Sequence, residues 1–404
     1  MALDLGATML QLDQVAMNLG RNYSDRRGRL LAVVEAARRI SPQEAREKTR
    51  KETVTNRPFM TAQVVDSLVG SHAPTEPPTD WCAVSVDGSH IDVDRHLPVG
   101  CYLINLGGCV LTYGSRPDAQ FFNQPVLAAD PADLYLNDPQ SATREQDITG
   151  PLLGLLRTVQ ELQRLVEVVK DCPPDLPTLA LVDGTLVLWG LSNQSYPSFV
   201  RNAILRDGLL PALEELRVLA QTRPVTLAAY VSLPRTTEVA NAVRCCLCPH
   251  DVARCNDWCS HRRSTVEPCD AADGFLDREI FGELLGPSMR SPVYKTNPAA
   301  AQEYYGEQQV HFYYLNAGEE IARVEVPGWV TQDEKLLTLG HSLIMEQCRK
   351  GQGYPVAISE SHEQAVITGT DRQLFKQMLT QTLEQQGLAT YTSEKERSKR
   401  SPWL

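Results

Sequence analysis

The amino-acid sequence predicts an α/β protein with a mixed sheet flanked by helices, an N-terminal helical region and a cysteine-rich insertion. Three observations support this prediction. Apolar residues recur at helical spacings up to about Leu68, strand-like and helical segments alternate after Trp81, and two strand-like segments, AVSVDGS and ALVDGTL, share the motif Val-Asp-Gly. Strands that alternate with helices are typical of a sheet covered by helices.

The N-terminal region, residues 1–70, is predicted to be helical. It contains a run of basic residues: Arg26, Arg27, Arg29, Arg38, Arg39, Arg46, Lys48, Arg50 and Lys51. Such a run is usually a solvated helix face, and contact with phosphates is the alternative. The Pro-rich residues 71–80 are expected to be a linker.

The main domain is expected over residues 81–390, followed by a charged, flexible tail at 391–404. Two strand-like segments open it, and a broad apolar face predicts a helix over 143–169. The nearly apolar run TLALVDGTLVLWG predicts a central strand buried on both faces and continuing through Thr185 to Trp189. Further helices are expected near 199–220, 277–285, 332–349 and 371–386, with strands at 224–233, 309–316 and 321–329.

Each Val-Asp-Gly motif places a carboxylate in or at the end of a predicted strand, at Asp87 and Asp183. Asp-Gly is also the strongest short signal for a hairpin turn, which is the competing interpretation. Carboxylate oxygens are the ligands that Mg²⁺ and Mn²⁺ prefer, and paired ions of this kind cleave phosphodiesters. A third carboxylate is expected at Glu145, in the first turn of the 143–169 helix, where its alternative role is to complement the helix dipole.

The composition limits the function classes. The net charge of −11 opposes attraction of the whole surface to nucleic acid, so DNA binding would need a local basic groove, bound cations or a partner. No apolar run reaches the ~18 residues that cross a bilayer, and the N-terminus lacks signal-peptide features, so a cytoplasmic location without membrane contact is expected. No P-loop motif is present, which argues against nucleotide hydrolysis through one.

Residues 244–270 form a cysteine-rich insertion. Its six cysteines are Cys245, Cys246, Cys248, Cys255, Cys259 and Cys269. Such a density of thiols in a reducing compartment indicates structural zinc or an iron–sulfur cluster, and a loop of reduced cysteines is the alternative, since the spacing matches no standard finger. The favoured ligands are Cys248, Cys255, Cys259 and Cys269, because the adjacent Cys245 and Cys246 cannot easily both point at one ion.

The order of the segments AVSVDGS, ALVDGTL, HFYYLNAGEEIARVEVPGW and GYPVAISESHEQAVI, with a Glu-bearing helix start between the first two, resembles the NurA nuclease family. The resemblance implies an RNase H-like fold, cleavage of DNA with Mn²⁺ or Mg²⁺, a homodimer, and docking onto a hexameric HerA-type ATPase that translocates DNA. The family's active-site residues fall on Asp87, Glu145, Asp183, Tyr354 and His362. Glu161 and Asp147 lie on the same predicted segment as Glu145.

These residues have expected roles in a nuclease for DNA end processing, repair or defence. The three carboxylates would hold the ions, His362 would bind a metal or steady the scissile phosphate, and Tyr354 would donate a hydrogen bond to a phosphate oxygen. A histidine alone is more often structural than catalytic. Two other classes compete: a non-catalytic adaptor of the motor ATPase, and a phosphatase-type enzyme acting on a small substrate. An adaptor is expected to lack a metal carboxylate, and the sequence retains all of them.

Overall fold

The structure is a computed structural model that describes residues 4–50, 59–92, 99–193, 196–259, 267–296 and 304–388. The strands are β1 (Gln63–Val64), β2 (Trp81–Ile91), β3 (Tyr102–Tyr113), β4 (Asp118–Ala128), β5 (Tyr135–Asp138), β6 (Ser141–Asp147), β7 (Thr178–Asp183), β8 (Val225–Val231), β9 (Tyr294–Lys295), β10 (Val310–Asn316) and β11 (Ile321–Pro327).

The helices complete a mixed α/β protein, as the sequence predicts. They are α1 (Leu5–Arg39), α2 (Pro42–Lys48), α3 (Pro151–Asp171), α4 (Trp189–Asn193), α5 (Ser198–Arg201), α6 (Leu210–Ala220), α7 (Glu238–Leu247), α8 (Cys255–Cys259), α9 (Asp277–Leu284), α10 (Gly328–Gln332), α11 (Glu334–Lys350), α12 (Val356–Ala365) and α13 (Gly369–Gln385). Between α5 and α6, residues Asn202–Leu209 are π-helical, so the predicted helix near 199–220 is continuous.

The chain divides into two compact units. The larger consists of Pro74–Val231, Ala300–Val310 and Val324–Leu404, and the smaller of Met1–Ala73, Ser232–Ala299 and His311–Arg323. The first passage between them falls within the Pro-rich residues 71–80.

The larger unit contains a mixed sheet whose strands follow the order β8, β7, β2, β3, β4. Strands β2, β3 and β4 form an antiparallel meander, whereas β7 runs parallel to both β2 and β8. The first five residues of β7 are buried, as predicted for a central strand. Helix α3 precedes β7 and packs on β2, which supplies the crossover that a parallel connection requires.

Two predictions within this unit are wrong. The helix predicted from residue 143 begins at Pro151, after Gly150 with a φ of +52°, and Ser141–Asp147 instead forms β6, paired with β5. The strand predicted to continue past Asp183 ends there, and the chain turns through Gly184. The apolar residues that follow are buried, with Leu188 N and Leu186 O both bonded to the Tyr305 hydroxyl. Apolar periodicity reports burial more directly than it reports strand geometry.

In the smaller unit, the helical prediction for the N-terminal region holds, among the described residues, for α1 and α2. Ser41 separates them, and its hydroxyl caps α2 by accepting from Glu44 N. Residues 51–58 lie outside the described chain, and the short strand β1 then pairs antiparallel with β9, which in turn pairs with β10. The predicted tail at 391–404 also lies outside the described residues.

Candidate active site

The two Val-Asp-Gly motifs lie level with one another on neighbouring strands. The parallel ladder between β2 and β7 pairs Cys82 with Thr178 and continues to Ser85 with Leu181. Asp87 and Asp183 are each two residues beyond that last pair, so they occupy equivalent positions. Asp87 lies inside β2, opposite Gly107 of β3, which excludes the hairpin-turn interpretation for this motif.

Helix α12 covers the face of the sheet that carries Asp87. A Cβ on Gly107 would lie 2.2 Å from Ala365 N, so glycine allows the helix to approach the strand closely. The side chains of β2 that share this face bond to α12: Ser85 Oγ lies 3.0 Å from Ser361 Oγ, and Ser89 Oγ donates to Ala365 O at 2.5 Å. This packing brings His362 to the site.

His362 and Tyr354 contact one aspartate each. His362 Nδ1 lies 2.9 Å from Asp87 Oδ2, and the histidine side chain is 59% exposed. The Tyr354 hydroxyl donates to Asp183 Oδ1 at 3.3 Å, and its ring packs edge-on against Tyr230 with centroids 5.5 Å apart. The structure thus brings together four of the five residues that the family resemblance selects.

A third carboxylate, that of Glu161, approaches β2 from α3, on the other face of the strand. Residue 88 faces α3, and a Cβ there would lie only 2.6 Å from Glu161 Oε1. Glu161 is buried and forms an ion pair with Arg157, with 3.1 Å between Oε1 and Arg157 Nε, although the atoms are not aligned as a hydrogen bond. Arg157 Nη1 donates to Gly88 O at 2.6 Å, which ties the helix to the strand.

The acidic groups repel one another. Burial raises the pKa of Glu161 to about 8, and the charges of Asp87 and Asp183 add to this, while Arg157 and the Gly88 backbone act in the opposite direction. Burial and the charge of Asp87 also raise the pKa of Asp183, against the hydrogen bond from Tyr354. Groups this close to one another with raised pKa values are characteristic of functional sites.

Glu145 occupies a different environment. It is an exposed residue of β6, where it pairs with Asn137 of β5, and it is not in the first turn of a helix. Glu161, on α3, is the glutamate whose pKa is raised by the charges of both aspartates. The sequence also contains a signal for Arg157, which is not among the five residues that the family resemblance selects. Arg157 and Glu161 are four residues apart on the apolar face of α3, and charged residues are seldom buried unless paired.

The donor chemistry fits a hard divalent cation, since oxygen ligands bear the charge and their mutual repulsion would be relieved by a cation. In the described part of the chain, however, no group of three or more Asp, Glu, His or Cys side chains could hold a metal ion as the side chains stand. The three carboxylates are therefore neighbours around β2 and β7 and do not form a closed coordination shell.

Most residues of the N-terminal basic run have acidic partners. Arg26 binds Glu279 at 2.7 Å, Arg39 binds Glu35 at 3.0 Å, and Arg27 lies 3.7 Å from Glu283. Lys48 and Arg50 lie 4.0 Å from Glu44 and Glu47. This pairing leaves less uncompensated positive charge for phosphate contacts than the sequence indicates.

Comparisons with known proteins agree with the geometry. The NurA domain model matches residues 83–367, a span that includes the site's carboxylates, Tyr354 and His362. No curated protein matches the chain in a sequence search. Within the described residues, no helix combines the length and apolar character needed to cross a bilayer. Members of the matched family are nuclease-associated. Because the match covers well over half of its length, the chain belongs to the NurA family.

Proposed function

We propose that this protein is a metal-dependent deoxyribonuclease that hydrolyses phosphodiester bonds with Mn²⁺ or Mg²⁺. The placement of Asp87, Asp183 and Glu161 around two adjacent strands, close enough for the aspartate charges to raise the pKa of Glu161, is the observation that carries the proposal. Three carboxylates with one arginine beside them form a site that gains stability when a cation binds. Glu161 takes the role that the sequence analysis gave to Glu145, because Glu161 interacts with both aspartates.

The protein's own residues have distinct roles in this proposal. Asp87, Asp183 and Glu161 would hold the divalent ions, which when bound activate water and stabilise the leaving oxygen. Arg157 positions Glu161 through their ion pair. Asp87 engages Nδ1 of His362 and thereby fixes the ring, so Nε2 is the nitrogen presented to a phosphate. The Tyr354 hydroxyl, next to Asp183, would donate to a phosphate oxygen.

The finer fold assignment, an RNase H-like nuclease domain, belongs to the same proposal. Its support is the mixed sheet in which the antiparallel strands β2, β3 and β4 continue into the parallel strands β7 and β8. The two aspartates lie on the adjacent strands where the antiparallel part meets the parallel part.

A cleavage assay tests the activity. Purified protein is incubated with end-labelled linear DNA in Mn²⁺, Mg²⁺ or EDTA, and cleavage is expected only with a divalent ion. Glu161→Gln should reduce the rate at least about a hundredfold, because it removes a charged ligand, and the matched Glu145→Gln should leave the rate unchanged. Equal rates for the two variants would refute the assignment of Glu161. Hydrolysis of p-nitrophenyl phosphate without DNA cleavage would instead indicate a phosphatase, and inactivity on both substrates would indicate an adaptor.

We further propose that the protein works as a homodimer with a HerA-type hexameric ATPase. A net charge of −11 predicts weak unaided DNA binding, because non-specific affinity comes from basic residues that displace counterions. A ring that threads DNA would deliver the substrate to the nuclease and so compensate for the weak affinity of the nuclease surface for DNA. The first half of helix α1 offers a docking surface, since the exposed large apolar side chains between residues 5 and 17 are Leu5, Met9, Leu10, Leu12, Val15 and Met17.

Adjacent substitutions on α1 test this docking surface. Leu10→Glu replaces an exposed apolar side chain, whereas Gln11→Glu makes the same change of charge at an exposed polar position. Co-elution with a HerA-type ATPase, and the rate increase the ATPase gives on double-stranded ends, should be lost with Leu10→Glu and kept with Gln11→Glu. Co-elution retained by both variants would exclude this surface of α1, and absence of co-elution with the wild type would exclude the partner.

A further inference from the structure

Two cysteines of the larger unit, neither of them in the cysteine-rich insertion, lie in contact with one another. Cys82 is on β2, and Cys172 immediately follows α3. Their sulfur atoms are 3.9 Å apart although the residues are 90 positions apart in the sequence, and both cysteines are free thiols. A disulfide has an S–S distance of about 2.05 Å, so rotation of the two side chains can bring these sulfurs to bonding distance.

The contact between the two thiols is a second attachment of α3 to β2. The first attachment is near the start of the helix, where Arg157 Nη1 donates to Gly88 O at 2.6 Å beside Glu161. The thiols meet where the helix has ended, and neither of them contacts the carboxylates by a hydrogen bond that the structure describes. A covalent bond between them would therefore strengthen the packing of α3 without altering the candidate active site.

The two thiols differ in their access to solvent. Cys82 is fully buried, whereas Cys172 is 6% exposed and lines a cavity of about 780 Å³ between α3 and the strands β3 and β4. Thr112, which lies opposite Cys82 in the ladder between β2 and β3, lines the same cavity. A small solute that enters this cavity therefore reaches Cys172 before Cys82.

The hydrogen bonds of the two thiols distinguish them in the same sense. Cys172 Sγ donates to Val168 O at 3.4 Å, so its lone pairs can accept the proton of Cys82. The hydrogen bond from Cys82 lowers the pKa of the Cys172 thiol; burial and the charge of Asp171 oppose this, and the charge of Arg223 adds to it. The same hydrogen bond and burial raise the pKa of Cys82. Because the thiolate is the reactive form, Cys172 is the thiol that reacts first with an oxidant.

We propose that Cys82 and Cys172 form a redox-active dithiol, in which hydrogen peroxide oxidises Cys172 and Cys82 then closes a disulfide. The Cys172 thiolate attacks one peroxide oxygen, the O–O bond breaks, and the departing hydroxide takes up a proton, which gives a sulfenic acid and one water. The Cys82 sulfur then attacks the Cys172 sulfur, its proton goes to the leaving hydroxide, and a second water is released. The two thiols lose two electrons in all, and the peroxide accepts them.

The oxidised protein is expected to keep its fold and to resist unfolding better than the reduced protein. The disulfide would join side chains that are already in contact, and it would close a loop of 90 positions. Closing a long loop removes conformational entropy from the unfolded chain. We expect the midpoint of thermal unfolding to rise by at least about 5 °C on oxidation, and to return to its original value after treatment with dithiothreitol.

Peptide mapping of the wild-type chain is the first test. Fully reduced protein in EDTA is treated with hydrogen peroxide, the remaining thiols are blocked with iodoacetamide, and an unreduced digest is analysed by mass spectrometry. A linked pair of peptides that contains Cys82 and Cys172 is expected, together with the rise in the unfolding midpoint. Neither measurement depends on nuclease activity. Folded protein that gains no such linkage, or that links either residue to a different cysteine, would refute the proposal.

Substitutions test the separate roles of the two thiols. In Cys82→Ala, oxidation should stop at the sulfenic acid, so dimedone present during the treatment should label Cys172. In Cys172→Ala, Cys82 should remain a thiol. Cys109→Ala is the matched control, because Cys109 is also fully buried in the sheet, and it should still form the linkage. Dimedone on Cys82 in Cys172→Ala, or loss of the linkage in Cys109→Ala, would overturn the assigned roles.

Discussion

The buried carboxyl of Glu161 predicts a dependence of stability on pH that a single substitution should remove. Burial and the two aspartates raise its pKa from 4.5 to about 8 in the folded protein. Between these two values the folded chain keeps the proton and the unfolded chain releases it. Stability of the metal-free protein therefore falls as pH rises through this interval, by about 1.4 kcal/mol per pH unit and about 5 kcal/mol in all.

Glu161→Gln removes the titrating group and leaves the volume nearly unchanged. It also removes the partner of Arg157, but between pH 5 and pH 8 the folded wild type carries Glu161 as the neutral acid, so the charge interaction with Arg157 contributes little to the difference in this interval. We expect the free energy of unfolding of the variant minus that of the wild type to rise steadily between about pH 5 and pH 8, by up to ~1.4 kcal/mol per unit. Titrating groups that do not interact with Glu161 contribute equally to both proteins and cancel in the difference.

Denaturant unfolding in EDTA, repeated at several pH values, measures this difference. Glu145→Gln is the control, because Glu145 is exposed on β6, and its profile should run parallel to that of the wild type. Parallel profiles for Glu161→Gln and the wild type would show that Glu161 is ionised at ordinary acidity. That result would refute the argument that the burial of Glu161 beside two aspartates favours the binding of a cation.

Three further predictions concern the same site. Gly88→Ala should displace Glu161, since the new Cβ would lie 2.6 Å from Oε1. The variant should lose about 1–3 kcal/mol of stability and most of the activity. The control Gly154→Ala, at an uncrowded position of α3, should be neutral or stabilising. Asp183→Asn should keep or raise the stability of the metal-free protein, because repulsion from Asp87 is lost. It should lower Mn²⁺-dependent cleavage at least about a hundredfold. Cleavage at the wild-type rate would show that the active site is elsewhere. Tyr354→Phe should raise the pKa of Asp183 further, because it removes a hydrogen bond worth about 1 kcal/mol, so titration calorimetry should find Mn²⁺ affinity reduced most at acidic pH.

Elements with a regular pattern of buried apolar residues can be predicted from the sequence, but the residues at which each element begins and ends are predicted less well. The apolar face of α3 is correctly located, but its start is not, because residues 141–147 pair as β6 with a strand that no local pattern indicates. The partner of a strand is set by the fold and cannot be read from the strand itself. The predicted boundary places Glu145 in the first turn of this helix, whereas the structure places it on the exposed strand β6.

The proximity of the two aspartates is easier to predict from the sequence than that of the glutamate, for a physical reason. Asp87 and Asp183 lie on neighbouring parallel strands, so a sequence motif repeated on both strands reports their proximity directly. Glu161 approaches β2 from α3, on the other face of the strand. Its position depends on the absence of a side chain at Gly88. Its signal in the sequence was the buried pair with Arg157, a charged residue four positions away on an apolar helix face.

The two glycines of the Val-Asp-Gly motifs serve different physical purposes, although the motifs look alike. Gly88 stays within β2, and its missing side chain makes room for the carboxyl of Glu161. Gly184 adopts a φ of +88°, which ends β7 and turns the chain away immediately after Asp183. Gly88 makes room for the carboxylate of Glu161, and Gly184 ends β7 so that Asp183 lies at the end of the strand. If each motif formed a hairpin turn, both glycines would have the same conformational role, and the two aspartates would not lie on neighbouring parallel strands.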